Sequence, residues 1–511
     1  MPGLPANVII IHPDLGIGGA ERLIIDVALA LQSRGHRVTV YTSHRDTSHC
    51  FEEARDGTLD VRVRGNTVFP AHLAGRFHVF MAIMRQLHLT ASVLGEIREE
   101  EEERKRKGKR SGDKSDGKGT TEEEETQARD TIFIVDQVPA CVPFLKVLGP
   151  RYQLPSQAEA QAQGQGSSLQ RILFYCHFPD QLLARRDEGG SLLRLAKVLY
   201  RCPFDWFEGW ALSASDRVVA NSRFTRGVVS DVFGLKSLGD VRVVYPCVDT
   251  AAGAGGEVGE KGEGDEKLWG GKKILLSINR FERKKDMALA VRAYHGLGEK
   301  RRGTRLVIAG GYDNRVQENV QYHKELDELA TGLGLQTATS KTVISALSIP
   351  DSIDVLFLLS VPTAFRDTLL LQSKLLLYTP INEHFGIVPV EAMRAGIPVL
   401  ASNTGGPLET IVEGETGWLR DAKVDADWTA VMDKVLYGMD QTELDRMSAA
   451  AKKRVENEFS LTAMGDSLEE EIGEMLGSER RPFGGFQQIL VILALSGFAL
   501  SVLAAMVLRI L

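Results

Sequence analysis

Cysteine is sparse in this chain and never spaced as a pair. Cys50, Cys141, Cys176, Cys202 and Cys247 form no C-x-x-C, and their number is odd. A disulfide framework and a cysteine-built zinc site are therefore excluded from the reading. No N-x-S/T acceptor occurs either, and both absences fit catalytic domains held in the reducing cytosol. An excess of positive charge is also lacking: 61 Lys and Arg stand against 68 Asp and Glu, a net charge of −7. That leaves no general attraction to nucleic acid or to an anionic membrane. No His, Cys, Asp and Glu cluster suggests a metal, so no cofactor is expected. The first apolar run, Val8–Ile11, is four residues long. It is too short for a signal peptide and reads as a buried strand.

The chain has 511 residues, enough for two or three domains. Short apolar runs recur at Val8–Ile11, Val38–Thr42, Thr131–Val135, Ile172–Cys176 and Arg217–Ala220. Between the first two, Leu23, Val27, Ala30 and Leu31 fall on one helical face of Ala20–Ser33, and Gly35 stops it. A second series starts at Lys273, with runs at Ile274–Ser277, Arg305–Ala309, Val355–Leu358, Leu375–Tyr378 and Val399–Ala401. A helix is expected at Asp286–Tyr294, a turn at Gly417–Leu419, and helices after Asp440. Alternating strands and helices imply parallel sheets covered on both faces. The expectation is an α/β chain of two Rossmann-like, doubly wound domains facing a cleft, residues 1–249 and 272–478. Residues 99–129, 156–168 and 250–271 are low in complexity and are expected to be disordered insertions, the third a linker between domains.

Two stretches bear on membranes. Ile489–Leu508 is an uncharged apolar run of 20 residues between Arg480, Arg481 and Arg509. That length spans a bilayer, so residues 486–510 are expected to be a transmembrane anchor with the domains before it on the cytosolic side. Residues 72–94 place Leu73, Phe77, Phe80, Met81, Met84 and Leu87 at helical spacing with Arg76 and Arg85 between them. A helix in the membrane interface and a core helix of the first sheet both fit this pattern.

Four constellations carry chemistry. Gly16-Ile17-Gly18-Gly19-Ala20-Glu21-Arg22 follows the first strand, where glycines let a backbone approach a phosphate or sugar. It is not a dinucleotide fingerprint, because Glu21 takes the place of the third glycine, and Ser43 and His44 stand where an acid belongs. His177 ends the run Phe174-Tyr175-Cys176, at the carboxyl end of a strand; a buried structural histidine is the alternative. Arg280 and Lys285 follow the first strand of the second domain, the position for gripping a diphosphate. Glu383 and Glu391 stand eight apart around His384-Phe385-Gly386. Pro389 favours a helix's first turn, so Glu391 is expected in that turn and Glu383 in the loop before it. Carboxylates accept hydrogen bonds from ribose and hexose hydroxyls. Gly405-Gly406-Pro407 follows the next strand. Asp425-Ala426-Asp427 matches a D-x-D metal pattern but is read as a surface loop.

These residues resemble the retaining GT-B glycosyltransferases of family 4. The segments FYCHFPDQLLARRD at 174–187, NRFERKKDMALA at 279–290, AGGYDNRVQENV at 309–320 and YTPINEHFGIVPVEAM at 378–393 carry the likeness further. Within that family they resemble the mannosyltransferases of dolichol-linked oligosaccharide assembly at the endoplasmic reticulum. The resemblance implies GDP-mannose as donor, Man1GlcNAc2-diphosphodolichol as acceptor, and two transfers, α-1,3 and α-1,6. Other transferases of that pathway are implied as neighbours. It places Arg280 and Lys285 on the diphosphate, Glu391 on the ribose, and Glu383 with Phe385 and Gly386 on the moving mannose. His177 would touch the donor sugar, and Gly18 and Gly19 would line the acceptor side. An inactive membrane-tethered scaffold and a UDP-sugar transferase of the same fold stay open as alternatives.

Overall fold

The computed structural model describes residues 5–70, 78–112, 130–149, 169–183, 191–234, 238–250, 267–481 and 483. The expected membrane span and most of the three low-complexity segments lie outside these residues. Among the described residues no helix is long and apolar enough to cross a membrane.

The chain forms two compact units. The first takes the residues up to Asn221, Arg226–Val244 and the chain from Gly465 onward; the second takes Ser222–Thr225 and Tyr245–Met464. In the first unit the strands are β1 (Asn7–Leu15), β2 (Arg37–Arg45), β3 (Asp60–Val63), β4 (Thr131–Asp136), β5 (Gln170–Cys176), β6 (Arg217–Ala220) and β7 (Arg242–Val243). They form one parallel sheet in the order β3-β2-β1-β4-β5-β6-β7. β4 and β5 are buried along their whole length, as strands covered on both faces must be. The order reverses between β1 and β4, and ligands of such sheets bind beyond the strand ends at that point.

The second unit repeats the plan. Its strands are β8 (Lys273–Ile278), β9 (Thr304–Gly310), β10 (Thr337–Ser340), β11 (Val355–Leu359), β12 (Ser373–Tyr378), β13 (Val399–Ser402) and β14 (Gly417–Arg420). They lie parallel in the order β10-β11-β9-β8-β12-β13-β14, with the reversal between β8 and β12. The core behind this sheet is built around Trp428, Phe281, Phe357 and Tyr294, all essentially buried. The other face is closed by Phe385, Val390, Met393 and Phe459.

Several elements differ from the sequence reading. Gly417–Leu419 is a strand, not a turn, because it pairs with Val399–Ala401. The charged block from Glu99 begins inside a helix, His78–Gly112, which carries it out as far as residue 112. The apolar face of that helix sets Leu89, Val93 and Leu94 into the first core beside Phe133 and Val135, so this part of residues 72–94 is a core helix. Asp425-Ala426-Asp427 opens the helix Asp425–Asp433, where acids suit the free N–H groups, and Asp425 pairs with Arg292 at 2.8 Å. The helix Leu461–Gly477, read as closing the second domain, sends its greater part to the first. There Asp466 meets Arg34 at 2.6 Å, Glu469 meets His36 at 2.5 Å and Glu471 meets Arg217 at 3.3 Å.

Candidate functional site

The residues picked from sequence divide between the two units. In the second unit, Lys285 and Glu383 come from the ends of β8 and β12, the two strands flanking the reversal. The chain leaves β8 through Asn279-Arg280 and makes a short turn at Arg283–Lys285. Thr379, just after β12, donates its hydroxyl to the carbonyl of Lys285 at 2.6 Å and fixes that turn. Lys285 Nζ then reaches Glu383 Oε2 at 2.5 Å, a contact only partly shielded from solvent. The buried Tyr378 hydroxyl also bonds Glu383, and burial together with that carboxylate raises its pKa well above the usual phenol value.

The loop holding Glu383 is shaped by glycine. Gly386 has φ of 86° and caps the helix Ile387–Arg394; a side chain there meets the Tyr378 ring at 3.1 Å. Gly406 donates its N–H to the Glu383 carbonyl at 2.7 Å, and a Cβ on it falls 2.1 Å from the Phe385 carbonyl. The Gly405-Gly406 turn and the Glu383–Gly386 loop therefore pack backbone on backbone. Phe385 is buried against Tyr245 and Phe459, so it supports the loop from beneath.

Glu391 is the fifth residue of Ile387–Arg394. It lies in the second turn, not the first, because the helix opens at Ile387 and Pro389 is its third residue. Its Oε1 meets Arg366 at 3.1 Å, while Oε2 is buried with no hydrogen-bond partner among the described residues. Burial raises its carboxyl pKa, with Arg366 and Arg394 opposing. A buried carboxylate oxygen with no partner is costly and waits for a donor. Arg280 stays outside this cluster of contacts: its side chain is 65% exposed and rests on Glu282 at 3.3 Å.

In the first unit the glycine turn leads into the helix Gly19–Gln32. Gly18 is its extended cap residue, accepting from Arg22 N–H at 3.0 Å, and Gly19 is its first residue. Across the reversal, His12 lies within β1 just after its apolar run, Asp136 ends β4, and His177 follows β5 by one residue. Asp136 accepts from both histidines: His12 Nδ1 at 2.9 Å and His177 Nε2 at 3.0 Å. His12 and Asp136 are fully buried and His177 is partly open. Burial works against charge on His12, but Asp136 outweighs it and the His12 pKa is raised. Burial likewise works against the Asp136 carboxylate, and the two histidines bring its pKa down nonetheless.

Sequence reasoning missed His12, Asp136, Arg366 and Tyr378. For the first two a signal was present. Val8-Ile9-Ile10-Ile11-His12, Ile132-Phe133-Ile134-Val135-Asp136 and Leu173-Phe174-Tyr175-Cys176-His177 are each an apolar run closed by a polar residue. Nothing comparable marks Arg366, which lies on a helix between strands.

Two family models match the chain: Glycosyltransferase Family 4 over residues 17–91 and 162–252, and Glycosyl transferases group 1 over residues 262–454. Among similar proteins, Alpha-1,3/1,6-mannosyltransferase alg-2 of Neurospora crassa is 46% identical, covering 98% of this chain and 96% of that protein. Alpha-1,3/1,6-mannosyltransferase alg2 of Schizosaccharomyces pombe is 41% identical over 92% of this chain and 81% of its own. Among solved structures, sucrose-phosphate synthase from Thermosynechococcus elongatus superposes with a TM-score of 0.59 at 14% identity, covering 93% of this chain and all of that one. At that identity the likeness is one of fold.

Proposed function

This chain belongs to the alpha-1,3/1,6-mannosyltransferase family of GT-B glycosyltransferases, and we propose the substrates, the place and the residues of its transfer as follows. It is a mannosyltransferase. The donor is GDP-mannose and the acceptor is Man1GlcNAc2-diphosphodolichol, which receives one α-1,3 and one α-1,6 mannose. The reaction takes place at the endoplasmic reticulum membrane with the catalytic units on its cytosolic side.

The observation that carries the reading is the Lys285–Glu383 contact across the strand reversal of the second sheet. A cation and an anion side by side suit a ligand that is itself divided into diphosphate and sugar. Breaking the mannose–phosphate bond leaves negative charge on GDP and positive charge on the sugar. Lys285 faces the first and Glu383 accepts a hydroxyl of the second. Arg280, exposed and resting on Glu282, swings onto the diphosphate with its planar fork. The unpartnered Glu391 Oε2 takes a ribose hydroxyl as its missing donor. Charge stabilisation thus comes from side chains and the start of the helix Ile387–Arg394, and this reading routes no step through a metal.

The test is transfer by the purified chain from GDP-mannose to the Man1GlcNAc2 lipid, with products read by mass and by linkage-specific mannosidases. Two added hexoses, one of each linkage, are expected. Transfer from UDP-sugars in place of GDP-mannose, or no transfer with intact GDP-mannose binding, rejects the reading.

A further inference from the structure

The His12–Asp136–His177 chain in the first unit lets proton positions be counted. His12 Nδ1 contacts both oxygens of Asp136 at 2.9 Å, and its Nε2 contacts the backbone carbonyl of Asp14 at 3.1 Å. A carbonyl oxygen only accepts, and an ionised carboxylate only accepts. Both ring nitrogens of His12 must then carry hydrogen, which makes the ring a buried imidazolium. A buried charge persists only when paired and hydrogen-bonded, and Asp136, itself fully buried, supplies that pairing. Glu21 adds further negative charge nearby.

The consequence falls on His177. Its Nε2 donates to Asp136 Oδ2 at 3.0 Å. With Nε2 committed to Asp136, Nδ1 is the ring nitrogen left for a ligand, and no described residue bonds it.

We infer that the His12 imidazolium and the Asp136 carboxylate are positioning residues which hold His177 in the Nε2–H tautomer, so that Nδ1 accepts a hydrogen bond from a substrate sugar hydroxyl. Asp136 sets the ring's tautomer and direction; His12 sets the charge of Asp136. The hydroxyl partner rests on the mannosyltransferase reading, whereas the two protonation states rest on the contacts alone.

The experiment has two arms. Nitrogen-15 spectra of the histidine-labelled full chain, assigned with His12→Asn and His177→Asn, read ring protonation directly. Near about pH 8, where an ordinary histidine is neutral, His12 is expected to show two protonated nitrogens and His177 a protonated Nε2 alone. A neutral His12, or a His177 protonated on Nδ1, overturns the proposal. In the second arm, Asp136→Asn is expected to lower kcat about 100-fold or more while the donor KM moves less than about threefold. Wild-type kcat in a folded Asp136→Asn sample overturns the role in transfer. A wild-type chain that transfers no mannose overturns the hydroxyl assignment along with the functional reading, and the spectra still decide the protonation states.

Discussion

At the scale of single residues, one contact and one missing contact decide most of the chemistry. Lys285 is held in place by its backbone, through Thr379, as well as by Glu383, so its side chain is dispensable for the turn. Lys285→Met is expected to lower turnover by about 100-fold or more, because a preorganised charge at the leaving group is lost. Circular dichroism and the melting temperature should stay close to wild type. Wild-type turnover in such a sample would remove Lys285 from the mechanism. Glu391 yields a prediction with a sign. Its folded pKa is raised by burial, so ionisation opposes folding. Below the unfolded value of about 4.5 both states are protonated and nothing is lost. As pH rises through the folded value, the penalty grows to its full size. Glu391→Gln should therefore melt higher than wild type at neutral pH, with the gain shrinking as pH falls towards about 4.5. Its donor KM should rise roughly tenfold if Oε2 takes a ribose hydroxyl. A gain of the same size at both ends of that range would rule out ionisation of Glu391 as its cause.

At the scale of elements, the site is built from backbones that touch. Gly406→Ala brings a Cβ to 2.1 Å from the Phe385 carbonyl, and neither loop can yield without moving Glu383. The expected cost is about 2 kcal/mol of stability, with turnover falling further than the melting temperature alone explains. An ordinary rate at unchanged stability would show that the two loops separate freely. Capping is a control away from this site. Asp440 caps the helix Gln441–Glu458 by accepting from Glu443 N–H at 2.8 Å, and Glu443 returns the bond. Asp440→Ala should cost about 1 kcal/mol in denaturant titration and leave the rate of transfer untouched. Strands with strong apolar runs were legible in the sequence, as β4 and β5 illustrate. β3, β7 and β10 were not, because Asp60–Val63, Arg242–Val243 and Thr337–Ser340 are short or polar strands at the sheet edges, stabilised by pairing and not by pattern.

At the scale of the whole molecule, the chain leaves the second unit at Met464 and returns to the first. On the helix Leu461–Gly477 and just past it, the carbonyls of Met475 and Ser478 accept from Arg171 at 3.2 and 3.0 Å. These contacts tie β5 and the strands beside it to a segment roughly three hundred residues later in the chain. A chain ending at Met464 is therefore expected to lose the first unit's protection while the second keeps its own. Hydrogen exchange checks this: rapid exchange confined to β1–β7 is the expected pattern, and equal protection in both units would refute it.

The amino-acid sequence by itself determined the two parallel sheets, since buried parallel strands must be continuous apolar runs separated by helices. It also marked Lys285, Glu383 and His177, because residues that follow such runs stand at strand ends, where ligands bind. Only the tertiary structure decided who faces whom. The strand order that sets β8 beside β12 brings Lys285 to Glu383, and the order that sets β4 between β1 and β5 places Asp136 between two histidines. Neither neighbour relation has a signature in the chain, because strand order follows from how helices pack across the whole sheet. The same packing buried one oxygen of Glu391 without a hydrogen-bond partner, an arrangement that no spacing between glutamates encodes.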